Sequence, residues 1–170
     1  GFPPGSEIYA AEVRFVDQQL GRLFGHLRER DALERTLIAV TADHGEGLED
    51  GLERHGWEFH RILYDEQIRV PLILAGPGIP AGGTLAGLTS SVDLFPTLLD
   101  YADLSGPAGI EGRSLRPLIE GFPVPERSVY ADQINGFDLN ATMVDRRPEA
   151  DFLYAVLKGD WKLIWRPTRP

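Results

Sequence analysis

The sequence lacks several features that would assign it at once to a broad class of protein. It contains no cysteine, which excludes disulfide bonds, thiolate nucleophiles and cysteine-based zinc sites within these 170 residues. No apolar run approaches the roughly 20 residues of a membrane-spanning helix. There is no glycine-rich loop of the kind that binds nucleotide phosphates. The sequence also lacks an initiator methionine and leaves the cellular compartment open.

Positive charge is scarce as well. Lysine and arginine number 17 against 26 aspartates and glutamates, which gives a net charge of −9. Without a basic tract to pair with phosphates, a nucleic-acid partner is not expected. A bound cation can reverse the local field, so the acidity does not exclude an anionic substrate. A hydrophobic fraction of 42% is typical of a globular domain.

The spacing of apolar residues predicts an α/β fold in residues 1–126. Residues 7–30 have the three- and four-residue apolar spacing of a helix, with Ser6 as its expected N-cap. Residues 36–42 and 70–75 are apolar without alternation, which is typical of strands buried on both faces of a mostly parallel central sheet. Between them, residues 43–60 form a long polar loop, a length that is usually functional.

Two further helices are expected before residue 127. Ser90 and Asp93 form a capping box that opens a helix over residues 92–102. A short helix is expected at residues 115–120.

A different pattern predicts a small antiparallel element in residues 127–170. Strands are expected at residues 129–132, 152–158 and 161–165, and the Gly159-Asp160 pair between the last two strands is a hairpin turn signal.

Asp43 and His44 are the leading candidate metal ligands. They follow directly after a buried strand, and in open α/β sheets ligands bind beyond the carboxyl ends of the strands. A carboxylate oxygen and an imidazole nitrogen are both good ligands for divalent metals. The alternative is that Asp43 caps a turn and His44 is solvated.

His55 and His60 are the candidate catalytic residues of the following loop. An imidazole can donate a proton to an anionic oxygen or to a leaving group. Trp57 and Phe59 precede His60 on a polar loop, and exposed aromatic residues favour a pocket. The alternative is that both histidines are ordinary loop residues.

These residues occur in an ordered series that resembles the sulfatases of the alkaline phosphatase superfamily. The resemblance covers nearly the whole chain. The segments that carry it are Tyr9–Gly21, Thr41-Ala42-Asp43-His44-Gly45-Glu46, His55-Gly56, Leu63–Ile73, Ser91–Leu99, Gly112–Leu115 and Trp161–Ile164.

The resemblance implies a metal-dependent hydrolase of sulfate esters on an alkaline-phosphatase-like α/β sandwich. It implies that Asp43 and His44 bind a divalent metal, with calcium first and manganese, magnesium or zinc as alternatives. His60 lies nearest the position of the residue that contacts the anionic group of the substrate. His55 matches the histidine of a Glu-His-Gly stretch, although Arg54 replaces the glutamate. The substrate would be a small-molecule or saccharide sulfate ester, or a phosphate ester.

The sequence departs from this family at one point that concerns the reaction itself. No serine lies in the Cys/Ser-x-Pro-x-Arg context of the family nucleophile, and the family's first pair of metal-binding aspartates has no counterpart. The chain is therefore expected to be a fragment that lacks turnover by itself. Two alternatives to the sulfatase remain open, a phosphoesterase or phosphotransferase on the same scaffold and a non-catalytic module that kept the fold.

Overall fold

The structure is a computed structural model that describes residues 4–46, 63–134, 152–165 and 167. The strands of these ranges form two sheets, β1–β2 and β3–β4–β5. In chain order the elements are α1 (Pro4–Glu29), a 3₁₀ turn (Leu33–Arg35), β1 (Ile38–Thr41), α2 (Asp65–Ile68), β2 (Leu72–Ala75), a second 3₁₀ turn (Ser91–Asp93), α3 (Leu94–Tyr101), α4 (Arg116–Ile119), β3 (Ser128–Ile134), β4 (Phe152–Lys158) and β5 (Trp161–Trp165).

Helix α1 confirms the helix expected at residues 7–30, but it begins earlier. It starts at Pro4, so Ser6 lies inside the first turn and is not its N-cap. Proline is well tolerated there because the first helical amides have no partner in the helix. The apolar stripe is largely uncovered, since Val13, Val16 and Leu23 are each about half exposed. None of the helices in the described ranges is long and apolar enough to cross a membrane.

Strands β1 and β2 form where strands were expected, but their direction differs from the prediction. They pair antiparallel, with Ile38 opposite Ala75 and Thr41 opposite Leu72. The parallel central sheet is therefore not found among the described strands. An unbroken apolar run indicates burial of both faces but carries no information on the direction of the neighbouring strand. One face of β2 is also open, because Ile73 is 60% exposed.

The helix expected at residues 92–102 is confirmed as the second 3₁₀ turn followed by α3, and the capping box of Ser90 and Asp93 is present. Its burial differs from the apolar face expected from the sequence. Asp93 and Thr97 are completely buried, whereas Phe95 is 54% exposed.

The antiparallel element near the C-terminus is confirmed. Strand β4 pairs with both β3 and β5, and Gly159 in the β4–β5 turn has a φ of +53°, a conformation that favours glycine. The inner face of this sheet presents Leu153 and Ala155, which pack with Leu63 into the apolar core found among the described residues. The outer face is aromatic and exposed, with Trp161 84% accessible.

Candidate metal centre

Asp43 and His44 lie in a turn that follows β1, as the sequence predicts. Asp43 Oδ1 accepts a hydrogen bond from the backbone N–H of His44 at 3.0 Å. His44 Nε2 lies 3.7 Å from Asp43 Oδ2, so a carboxylate oxygen and an imidazole nitrogen are close enough for one ion to contact both. The Asp43 side chain is 89% exposed and that of His44 is 43% exposed.

The backbone of the same turn selects one form of the neutral imidazole. His44 Nδ1 lies 2.9 Å from the carbonyl oxygen of Gly45, which can only accept a hydrogen bond. Nδ1 therefore carries the proton in this arrangement, and Nε2 carries the lone pair. A hydrogen bond from one ring nitrogen to a backbone carbonyl is a common way to orient a metal-binding histidine.

Gly45 is in close contact with the backbone of α2. Its N–H donates to the carbonyl oxygen of Gln67 at 2.7 Å. A Cβ at position 45 would lie 2.0 Å from the carbonyl oxygen of Glu66, which no side chain tolerates. This contact was not predicted from the sequence, nor was the burial of Gln67, which is 4% exposed. A glycine directly after the Asp-His pair was the only sequence signal for this contact.

The donor types of the turn fit a divalent metal, but two donors do not complete a coordination shell. Zinc and calcium take about four to eight ligands. Within the part of the chain that the structure describes, there is no group of three or more histidine, cysteine, aspartate or glutamate side chains that could hold a metal ion. His55 and His60 lie outside the described residues, so the structure does not show whether they approach Asp43 and His44.

A second polar cluster, which we call the Asp93 cluster, is centred on two completely buried side chains, those of Asp93 and Thr97. It comprises Ser90, Asp93, Thr97, Arg113 and Arg127. Asp93 Oδ1 accepts from the Arg113 amide at 3.0 Å and from Arg127 Nη1 at 2.9 Å, and Oδ2 accepts from the Ser90 amide at 2.8 Å and from Arg127 Nη2. The Ser90–Asp93 contact was predicted from the sequence, whereas the contacts of Asp93 with the two arginines were not.

The charge of Asp93 is stabilised by these donors. Burial raises the pKa of Asp93, but the hydrogen bond from Arg127 and those from the amides of Arg113 and Ser90 outweigh it, so the pKa lies below its usual value. Every acceptor site of this carboxylate is directed at a donor of the chain itself. The Asp93 cluster therefore contains an ion pair that joins α3 to the segment before β3.

Comparisons with known proteins identify the family of this chain. The family model described as Sulfatase matches residues 7–104. An N-acetylglucosamine-6-O-sulfatase of Bacteroides thetaiotaomicron is 40% identical over 113 residues, which are 66% of this chain and 20% of that protein.

Two solved structures share the fold. One is described as a complex with its substrate D-glucosamine-2-N,6-O-disulfate; it superposes with a TM-score of 0.74 at 31% identity, over 93% of this chain and 31% of the other. A phosphonate monoester hydrolase from Silicibacter pomeroyi gives a TM-score of 0.71 at 31% identity, over 89% of this chain and 30% of the other.

The chain belongs to the sulfatase family, a family of hydrolases in the alkaline phosphatase superfamily whose members generally use a divalent metal. It spans 20% of the length of the curated relative and about a third of each solved structure.

Proposed function

We propose that this chain is part of a metal-dependent sulfatase that hydrolyses sulfate esters of saccharides. Membership of the family supports the reaction class. The saccharide is supported by two relatives, one named for N-acetylglucosamine 6-O-sulfate and one bound to a disulfated glucosamine. The observation that carries the proposal is the turn after β1, which holds Asp43 Oδ2 and His44 Nε2 3.7 Å apart.

Asp43 and His44 would hold the divalent metal in this proposal. When bound, the metal neutralises charge on the sulfate oxygens and on the nucleophile. The carboxylate of Asp43 favours calcium, while the imidazole of His44 is equally suited to manganese or zinc. Asp43 contributes a second function, because its Oδ1 holds the backbone amide of His44 and so fixes the first peptide of the turn.

His60 and His55 are proposed to act on the substrate. A protonated imidazole next to the ester group would bind the sulfate and supply a proton to the departing alcohol oxygen. The sequence has no nucleophile motif, so turnover is proposed for the longer protein that carries one. The 170-residue chain by itself is proposed to have no hydrolytic activity.

The test uses the full-length protein with glucosamine 6-O-sulfate and the matching 6-phosphate as paired substrates. Chelation of divalent metal is expected to abolish sulfate release, and restoring the metal is expected to recover it. The Asp43→Asn variant keeps the hydrogen bond to His44 but removes the charge, and its activity is expected to fall about 100-fold or more, as does that of His44→Ala.

His26→Ala is the matched control, because His26 is an exposed histidine of α1 and its loss should leave the rate unchanged. Sulfate release that persists after chelation, or in Asp43→Asn, would disprove metal dependence at this pair. A rate on the phosphate ester that exceeds the rate on the sulfate ester would replace the sulfatase with a phosphoesterase.

A further inference from the structure

We infer that the sheet β3–β4–β5 positions the Asp43–His44 pair through residues 63–68, with Lys162 as the positioning residue. This inference rests on the proposed metal site. It adds a role for a lysine that is 118 positions away from His44 in the sequence and does not touch either proposed ligand.

The first link joins the turn to α2 by the backbone. Asp43 is 89% exposed and His44 is 43% exposed, so packing of their side chains contributes little to holding them. The backbone of the turn that carries them is held at Gly45 by the hydrogen bond to Gln67 and by the close approach of Glu66. A shift of α2 therefore shifts the peptide that carries His44.

The second link joins α2 to the sheet by apolar packing. Leu63 is 3% exposed and packs with Leu153 and Ala155 of β4, and Ile68 packs against the same cluster. Leu63 lies just before α2, and Ile68 is its last residue. The helix has only four residues and cannot be stable by itself, so the sheet defines where it lies.

The third link is the ion pair of Lys162 and Asp65. Lys162 Nζ donates to Asp65 Oδ1 at 2.8 Å, and the lysine side chain is only 20% exposed on the inner face of β5. Apolar packing allows a short helix to slide or rotate, whereas a hydrogen-bonded ion pair fixes one point on it. Lys162 thus sets the register of α2 on the sheet, and α2 sets the position of Gly45.

The experiment measures the affinity of the full-length protein for Mn²⁺ and Ca²⁺ by competition with a fluorescent chelator. Lys162→Met keeps the aliphatic length and removes the charge, and it is expected to weaken metal binding about twofold to fivefold, the range of a partly exposed ion pair. Lys162→Asp places two carboxylates together and is expected to weaken binding about tenfold.

Combining Lys162→Asp with Asp65→Lys restores the attraction in the reverse sense, and we expect it to recover the affinity to within about twofold. The matched control is Lys158→Met, which removes an exposed lysine from the opposite face of the same sheet. Its affinity should equal that of the unmodified protein. Thermal unfolding of the metal-free variants shows that each has folded.

The outcomes separate the inference from the proposed function. If Asp43→Asn binds metal as tightly as the unmodified protein, the site is not at this pair and both proposals fail. If Asp43→Asn loses the metal while folded Lys162→Asp retains it, the metal site stands and the positioning role is overturned. Equal weakening in Lys158→Met, or no recovery in the charge swap, also overturns it.

Discussion

At the scale of single residues, the absence of a side chain at position 45 controls the turn after β1. The space that a Cβ would need is already taken by the carbonyl oxygen of Glu66 at 2.0 Å. Gly45 has no positive φ, so the requirement for glycine comes from the neighbour and not from its own backbone conformation. Even the smallest side chain must push α2 and the turn apart.

The Gly45→Ala variant is therefore expected to be destabilised by about 1–3 kcal/mol, the cost of inserting a methyl group into a space that is already filled. Chemical denaturation measures this free energy of unfolding. Gly21→Ala is the control, because nothing lies within 4 Å of its Cβ and alanine favours helix α1. If Gly45→Ala is as stable as Gly21→Ala, the carbonyl oxygen of Glu66 does not lie as close to position 45 as described.

The charge of Asp93 predicts a dependence of stability on pH. The folded pKa of Asp93 lies below its unfolded value because Arg127 and two amides bind the charged form more strongly than burial penalises it. Its contribution to stability is present above the unfolded pKa of about 3.9 and is lost as the pH falls toward the folded pKa. Asp93→Asn should be less stable at pH 7, and the difference should narrow by pH 3.

Unfolding free energies of both proteins at several pH values between 3 and 7 measure this effect. A difference between the two proteins that stays constant over this range would show that the pKa of Asp93 is not lowered by folding.

The contacts that the sequence predicted are local ones. The capping box of Ser90 and Asp93 spans four residues, and Asp43 and His44 are neighbours, so both are visible in a short stretch. Arg127 lies 34 residues from Asp93 in a segment without periodicity, and nothing local distinguishes it from other arginines. Lys162 and Asp65, 97 residues apart, were missed for the same reason.

At the scale of elements, α3 is held by polar contacts more than by apolar ones. Its two fully buried side chains are Asp93, at its N-terminus, and Thr97. Thr97 Oγ1 donates to the carbonyl oxygen of Asp93 at 2.6 Å and accepts from the amide of Leu115 at 2.9 Å. The helix is thereby joined to the segment that leads into α4.

Removal of the Arg127 guanidinium should therefore lower the stability of the folded protein strongly. Arg127→Met leaves the buried carboxylate of Asp93 without its charged partner and is expected to cost about 3–5 kcal/mol. Arg113→Met is the matched control, because the side chain of Arg113 makes only an exposed contact to the carbonyl of Pro125 and its backbone amide remains. That variant should lose less than about 1 kcal/mol. Equal losses would contradict the assignment.

The elements also show which parts of a fold can be predicted from local patterns in the sequence. Helices α1, α3 and α4 and the three C-terminal strands agreed with expectation to within a few residues, because periodicity and turn residues act over short stretches. The four-residue helix α2 was not predicted. The pairing direction of β1 and β2 did not agree with expectation, since it depends on where the chain between them runs. A short turn between two strands implies that they pair antiparallel, whereas a connection of thirty residues allows either direction.

At the scale of the whole molecule, the described residues leave several apolar surfaces uncovered. These are the stripe of α1, the open face of β2 and the aromatic face of the C-terminal sheet. Leu63, Leu115, Leu153 and Ala155 are the only hydrophobic residues that are fully buried among the described ones. Uncovered surfaces of this kind drive association.

We expect the 170-residue chain to associate when it is produced alone. Light scattering of the purified chain should show species larger than a monomer. Replacing Val16 and Leu23 together by glutamine should reduce the association, because both lie on the α1 stripe. A monodisperse monomer that melts cooperatively would contradict this prediction.

The contact between Asp93 and Arg127 also determines where this polypeptide can be cut. A boundary between the two subdomains was expected near residue 126, and a protein truncated there would keep the buried carboxylate and lose the guanidinium that neutralises it. A truncation designed from the predicted strand boundaries alone would end at that position and give an unstable protein. A piece that contains α3 therefore needs to include Arg127 if the charge of Asp93 is to stay paired.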